Sequence, residues 1–289
     1  ALRTLGAEIS EIGGSLLCRA ECLRGGDILL TLPSVGATEN AILAACGAEG
    51  TTIISNAARE PEIVDLQDFL QKLGADVHGA GTSTITVRGG GVRHGCVHRC
   101  IGDRIAAATY LCAAAAAGGQ VTLQGVDYRH LATVTTALGQ AGCRLQCTED
   151  SITLESDGRL RAIPPVRTSP YPGFPTDAQA PLMAALLRSE GAVMFVENMF
   201  DSRYRHVPEL VRMGADIRLE GRVAVVYGTR ELHGAAVRCT DLRGGAALAI
   251  AALQTPDATL IHEIYHIQRG YQDMAGDLRA LGADAAVEV

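Results

Sequence analysis

A glycine phrase recurs along the chain at nearly constant spacing, and this narrows the possible folds more than any other feature. Leu5-Gly6-Ala7, Leu73-Gly74-Ala75, Ala141-Gly142-Cys143, Met213-Gly214-Ala215 and Leu281-Gly282-Ala283 each close a helical pattern and precede a strand pattern. Successive glycines are 68, 68, 72 and 68 residues apart. A second phrase of small residues leading into an apolar strand keeps step: Glu49-Gly50-Thr51-Thr52-Ile53-Ile54, Gly118-Gly119-Gln120-Val121-Thr122-Leu123, Glu190-Gly191-Ala192-Val193-Met194-Phe195 and Pro256-Asp257-Ala258-Thr259-Leu260-Ile261. Two phrases in one register predict a structural unit of roughly 70 residues, longer than a short solenoid repeat and large enough to pack on itself.

Each unit reads in the same order. A capped, Ala- and Leu-rich helix is predicted over Ser34 to Cys46, Asp103 to Ala117, Thr176 to Arg188 and Asp241 to Leu253. Few polar residues interrupt any face of these helices, so they should be buried. A buried strand, a turn and an amphipathic helix follow, the last closed by the glycine in a left-handed cap. Two alternating strands finish the unit, as in Asp76 to His78 and Thr84 to Val87. The expected class is α/β or α+β, in layers. A length of 289 residues suggests two domains, with a junction near Cys100 to Asp103. Gly89-Gly90-Gly91 follows a strand but lacks the Lys-Ser/Thr of a phosphate loop and reads as a linker.

Composition excludes some partners. Hydrophobic residues make up 47% and charged residues 20%, which describes a globular chain with ample core. A net charge of −7 argues against nucleic acid as the main partner. The longest apolar run, Ile105 to Ala117, has 13 residues, too few to span a bilayer, so it reads as a core helix and no membrane partner is expected. No signal-peptide pattern is present, and nine cysteines without a CxxC pair fit a reducing cytoplasm. Ala1-Leu2-Arg3-Thr4-Leu5-Gly6 reads as the tail of a unit's second helix, so the expectation is a fragment of a longer chain.

Cys18 with Cys22 and Cys143 with Cys147 sit at even offsets, so on strands each pair should share a buried face. His94, Cys96, His98 and Cys100 alternate as well, yet four ligands along one extended strand cannot converge on a tetrahedral ion. Neither a metal nor a cofactor is expected.

The polar residues fall at repeat-related places. First-helix starts carry Ser34-Val35-Gly36, Asp103-Arg104, Thr176-Asp177 and Asp241-Leu242-Arg243, and the turns before second helices carry Arg59-Glu60, Arg129, Arg203 and Arg269. Phe174-Pro175-Thr176-Asp177 places a carboxylate at a helix start, where Thr176 or Asp177 is expected to cap. Helix N-termini and arginine forks suit phosphate or carboxylate ligands, and the same arginines serve equally well as structural ties to Asp, Glu or helix ends.

Longer phrases carry a resemblance. Ser34-Val35-Gly36-Ala37-Thr38-Glu39-Asn40, Asn56-Ala57-Ala58-Arg59-Glu60-Pro61-Glu62-Ile63-Val64-Asp65, Phe174-Pro175-Thr176-Asp177, His206-Val207-Pro208-Glu209-Leu210, Thr240-Asp241-Leu242-Arg243 and Ile264-Tyr265-His266-Ile267 with Arg269-Gly270-Tyr271 resemble the UDP-N-acetylglucosamine enolpyruvyl transferase family, from Ala1 almost to Val289. The resemblance implies an inside-out α/β barrel of two domains, each of three repeats. Residues 1–101 are then the later part of one domain and 102–289 most of the other. It implies transfer of the enolpyruvyl group of phosphoenolpyruvate to the sugar 3-hydroxyl with release of phosphate, in peptidoglycan precursor synthesis, without a cofactor.

By the same resemblance, Ser34, Val35 and Gly36 line the nucleotide site, Glu60, Arg104 and Thr176 lie near the nucleotide-sugar, and Met199 near the uracil or sugar. Asp177 takes the proton from the 3-hydroxyl. Arg203, Arg243 and Arg269 hold the carboxylate and phosphate, Arg269 being counted with Asp177 as catalytic, and Asp241 joins the substrate site. The family's catalytic cysteine loop and a Lys-Asn pair match no segment here, so this polypeptide alone is not expected to turn over and a complementing N-terminal segment is a possible partner. Leu32, Gly102, Ala106, Tyr171 and Gln268 also depart from the family pattern. Three other readings stay open: the sister activity on shikimate 3-phosphate, a non-catalytic nucleotide-binding remnant, and one half of a split enzyme.

Overall fold

The computed structural model describes residues 1–288. The chain divides into two compact units: Ala1–Ile101 with Pro170–Pro172, and Gly102–Ser169 with the chain from Gly173 onwards. In the first unit the elements run β1 (Glu8–Ile12), β2 (Ser15–Arg19), β3 (Asp27–Leu29), α1 (Val35–Cys46), β4 (Thr51–Ser55), α2 (Pro61–Lys72), β5 (Asp76–His78) and β6 (Thr84–Arg88). Strands β1 and β2 form an antiparallel hairpin. The other four make a sheet of order β3-β4-β6-β5, parallel only between β3 and β4.

The second unit repeats this plan. It contains α3 (Arg104–Ala117), β7 (Gly119–Gln124), α4 (Ala132–Ala141) after a 3-10 turn, β8 (Arg144–Cys147), β9 (Ser151–Ser156) and β10 (Val166–Arg167). Then come α5 (Thr176–Ala185), β11 (Ala192–Val196), α6 (Val207–Arg212), β12 (Asp216–Glu220) and β13 (Val223–Tyr227). Last are β14 (Ala236–Arg238), α7 (Leu242–Ala252), β15 (Leu260–His262), α8 (Tyr265–Gln268) and α9 (Met274–Ala280). The sheet β10-β11-β13-β12 has the order and sense of its counterpart in the first unit. A three-stranded sheet β7-β9-β8 and a parallel pair β14-β15 complete the unit. The architecture is mixed α/β, and among the described residues the sheets are separate and open, none closed into a barrel.

The expected first helices form almost residue for residue, the third ending in a 3-10 turn over Leu186–Arg188. Helices α3, α5 and α7 pack on one another in the core of the second unit. Leu111, Leu182 and Leu248 within them are fully buried, each contributing about 2 kcal/mol through burial alone. Close packing explains their Ala and Gly content, since small residues let helix backbones approach. The marker glycines Gly6, Gly74, Gly142, Gly214 and Gly282 have φ of 97°, 86°, 115°, 90° and 100°, the left-handed closure that glycine reaches without steric cost.

Other expectations differ from the structure. Cys18, Cys22 and Cys147 are exposed; only Cys143 of the two pairs is buried. No second layer covers the β1-β2 hairpin enough to bury its residues, so alternation there selects no core face. Gly89 is more than a linker: a Cβ on it would lie 1.7 Å from the Ala48 carbonyl oxygen, so the backbones touch. Residues 92–103, read as extended, form no regular element.

Candidate functional site

In the second unit, two helix starts bring opposite charges together. Asp177 is the second residue of α5 and Arg243 the second of α7. Arg203 comes from the turn before α6. Arg203 Nη2 donates to Asp177 Oδ1 in a close ion pair, and Arg243 Nη2 donates to Asp177 Oδ2 at 3.4 Å. One carboxylate is thus gripped by two guanidinium groups beside the free N–H groups of a helix N-terminus.

Each arginine is held from behind. Arg243 Nη1 donates to Tyr271 Oη at 3.1 Å, and its guanidinium lies 5.6 Å from the centre of that ring. Tyr271 Oη also bonds Thr109 Oγ1 at 2.7 Å, in the buried interior. Arg203 lies over the Phe200 ring at 5.6 Å. Arg243 Nε is buried without a hydrogen-bond partner among the described residues. A buried donor left unpaired costs about 1–3 kcal/mol, a cost that an incoming anion or water would remove.

The expected cap on α5 does not form. Pro175 occupies the cap position and no side chain bonds the helix start. Thr176 Oγ1 instead donates to Glu197 Oε2 at 2.9 Å, and the Asp177 carboxylate is taken by the arginines. Glu197, at the end of β11, is 1% exposed and is the organising group here. Its Oε1 accepts from Thr168 Oγ1 at 2.8 Å and from the backbone N–H of Met199 at 2.8 Å and Phe200 at 3.2 Å. This carboxylate fixes the loop holding Met199 to the start of α5. A cleft of about 230 Å³ beside it is lined by Glu197, Phe200, Ser202, Arg203 and Arg222.

Asp241 caps α7, accepting from the backbone N–H groups of Arg243 and Gly244 at 3.1 and 2.8 Å. Near that cap and Arg203 sits His206, 1% exposed, with neither ring nitrogen hydrogen-bonded among the described residues. Burial pushes its imidazole down to about 4, and the Arg203 charge adds to this while Asp241 opposes it. Arg269 ends α8 and is exposed. Its side chain makes no hydrogen bond or ion pair among the described residues, with Asp177 or any other group. Arg104 is buried at the first position of α3, behind the Asp103 cap.

In the first unit, Ser34 caps α1, accepting from Ala37 N–H at 3.4 Å, and Val35 and Gly36 open the helix. Gly36 helps line a cleft of about 470 Å³ with Leu2, Arg3, Ile9, Ala37 and Asn40. Glu60 stands at the cap position of α2, where its Oε1 accepts from the Tyr171 N–H at 3.5 Å and its Oε2 is buried without a hydrogen-bond partner among the described residues.

Sequence reasoning missed Glu197, His206, Thr109 and Tyr271 as site residues. For Tyr271 a signal existed in its place two residues after Arg269; for Glu197 the only hint was a carboxylate closing an apolar strand.

Known proteins are similar to this chain over most of its length. Residues 1–278 match the family model described as EPSP synthase (3-phosphoshikimate 1-carboxyvinyltransferase). The chain is 48% identical over 286 residues to a UDP-N-acetylglucosamine 1-carboxyvinyltransferase of Zymomonas mobilis, covering 98% of this chain and 67% of that protein. It is 46% identical to a second such protein from Caldanaerobacter subterraneus, over 98% of this chain and 68% of that one. Among solved structures, the enolpyruvyl transferase NikO from Streptomyces tendae superposes with a TM-score of 0.88 at 26% identity, over 99% of this chain and 70% of that one. An EPSP synthase from Acinetobacter baumannii shares the fold with a TM-score of 0.74 at 21% identity, over 99% of this chain and 70% of that one. With a family match over nearly its whole length and relatives close to half identical, the chain belongs to the enolpyruvyl transferase family, among the UDP-N-acetylglucosamine 1-carboxyvinyltransferases.

Proposed function

We propose that this chain serves the transfer of the enolpyruvyl group from phosphoenolpyruvate to the 3-hydroxyl of UDP-N-acetylglucosamine, with release of phosphate, in peptidoglycan precursor synthesis. The observation that carries the reading is the meeting of Asp177, Arg203 and Arg243 at two helix starts. In the reaction the sugar oxygen bonds C2 of the enolpyruvyl group and the C2–O bond to phosphate breaks. An alcohol is a weak nucleophile without a positioned base, and Asp177 is that base. Arg203, Arg243 and Arg269 bind the substrate carboxylate and phosphate and stabilise the charge that the phosphate gathers as its C2–O bond breaks. Phosphoenolpyruvate therefore competes with Asp177 for the guanidinium groups, and its arrival frees the carboxylate to take the proton.

Ser34, Val35, Gly36, Glu60, Arg104, Thr176 and Met199 are assigned to the nucleotide-sugar, and Asp241 to holding the start of α7 beside the phosphoenolpyruvate site. The reading includes two domains, 1–101 and 102–289, in the inside-out barrel arrangement of the family, and a cytoplasmic location. It also holds that turnover needs sequence corresponding to the remaining third of the relatives' length. UDP-N-acetylglucosamine should raise the melting temperature of this chain, and shikimate 3-phosphate should not. Protection by shikimate 3-phosphate alone would overturn the substrate assignment, and phosphate release by this chain alone would overturn the need for further sequence.

A further inference from the structure

The segment after β6 alternates histidine and cysteine, and on its own it offers no metal geometry. The first unit supplies what the segment lacks. Helix α2 presents Asp65, Phe69 and Lys72 four and seven residues apart, on one helical face. His98 lies against that face: its Nε2 is 2.9 Å from Asp65 Oδ1, its Nδ1 is 3.2 Å from Lys72 Nζ, and its ring centre is 5.4 Å from that of Phe69. The imidazole is only 8% exposed. Two residues on, Cys100 turns to the same place, so that one ligand atom from each of Asp65, His98 and Cys100 lies within 4.8 Å of the others.

We propose that Asp65, His98 and Cys100 form a binding site for a borderline divalent cation of the zinc type. One carboxylate oxygen, one imidazole nitrogen and one thiolate suit that ion. In a tetrahedral zinc site, bonds of about 2.0–2.3 Å put donor atoms roughly 3.3–3.6 Å apart, so the 2.9 Å Asp65–His98 contact opens slightly to admit the ion and the Cys100 sulfur closes in from within 4.8 Å. Helix α2 fixes one ligand and the packed imidazole a second, while exposed Cys100 leaves an entry path and a fourth position for water.

The protons balance as follows. A Lys72 ammonium can only donate, so the contact at Nδ1 is compatible with a ring that accepts there and shares an Nε2 proton with Asp65. The cation takes the place of the Nε2 proton, which moves to Nδ1; Lys72 then withdraws into solvent, and Cys100 releases its thiol proton to the buffer. The same network excludes a nucleophilic thiol, because both ring nitrogens are already engaged and neither is free to take the proton of Cys100. Lys72 is consequently the residue that opposes the cation, both by its charge and by its claim on Nδ1.

The test uses the full chain titrated with Zn²⁺, and with Co²⁺ as a spectroscopic probe of thiolate ligation. The expected result is binding of a single ion with a cobalt–thiolate charge-transfer band, both lost in Cys100→Ser, a substitution at an exposed side chain that leaves the melting temperature unchanged. His98→Gln should weaken binding by more than the roughly tenfold that a lost outer partner costs. Lys72→Gln, which removes the opposing charge and offers an acceptor to Nδ1–H, should tighten it by about tenfold. A charge-transfer band that survives in Cys100→Ser, absence of Zn²⁺ binding, or weaker binding in Lys72→Gln would each overturn the proposal, leaving Asp65 and His98 as a tie between α2 and the segment after β6.

Discussion

The sheets β3-β4-β6-β5 and β10-β11-β13-β12 have the same order and the same sense, and in each a helix that starts at the same point of the repeat links the first two strands, α1 joining β3 to β4 and α5 joining β10 to β11. Their helix starts differ. At α1 the start is Ser34-Val35-Gly36, a neutral cap; at α5 it is Thr176-Asp177, with no cap and a carboxylate held by Arg203 and Arg243. The scaffold is repeated while the chemistry at its ends is not. A position that carries a neutral cap in one repeat holds two converging cations in another, because the arginine turn and the neighbouring helix α7 supply partners there.

This contrast can be broken by mutation. Among changes to the arginines, the largest effect should come from Arg243→Ala, which removes a preorganised donor: turnover of the complete enzyme should fall by about 10²–10³-fold, whereas Arg129→Ala, at the repeat-related turn where Asp127 is its partner, should leave turnover unchanged. Equal losses in steady-state phosphate release would remove the distinction between the repeats. Leu182→Ala, in the fully buried face of α5, should cost about 2–5 kcal/mol in urea unfolding without changing the slope. A loss below about 1 kcal/mol would mean that α5 is not packed as a core helix.

His206 gives a pH-dependent test of the same region. Its folded imidazole is depressed to about 4 from an ordinary 6.5, so between those values the unfolded chain binds the extra proton. Stability should be intact above pH 6.5 and fall by about 3 kcal/mol as pH drops toward 4. That part of the slope should be missing in His206→Gln; an unchanged slope in the variant would assign it elsewhere. The smallest effect is expected at the neutral helix start: Ser34→Ala should cost about 1 kcal/mol, the worth of an N-cap.

Much of the fold was legible in the sequence because the repeat imposes local signals at each turn. The closing glycines must be left-handed, and the apolar pattern marks both Ser34 to Cys46 and Asp103 to Ala117 as helices; the second is core as expected, while the first buries only the face of Thr38, Ala41, Ile42, Ala45 and Cys46 and leaves Leu43 exposed. Of the site, Asp177, Arg203 and Arg243 were legible as charged residues at repeat-related places, though not that they would bond one another. Glu197 was not legible, since its partners Thr168 and Thr176 lie 29 and 21 residues away and only the folded chain closes that distance. The capping role expected of Thr176 or Asp177 failed for the same reason: tertiary partners outbid the local helix end. The alternation of Cys18 with Cys22 misled because a buried face needs a second layer, and the hairpin is not buried by one. Asp65, His98 and Cys100 meet only because α2 turns one face toward a segment with no regular structure.

The most direct test of the account is phosphate release by the complete enzyme supplied with UDP-N-acetylglucosamine and phosphoenolpyruvate, compared with its Asp177→Asn variant. Asparagine keeps the size and leaves an oxygen for the arginines but cannot take the proton. The account predicts a fall of about 10²–10⁴-fold in kcat, with the melting temperature and its rise on adding the nucleotide-sugar nearly unchanged. Full turnover in Asp177→Asn would contradict it, and Asp177 would then be a structural tie for Arg203 and Arg243.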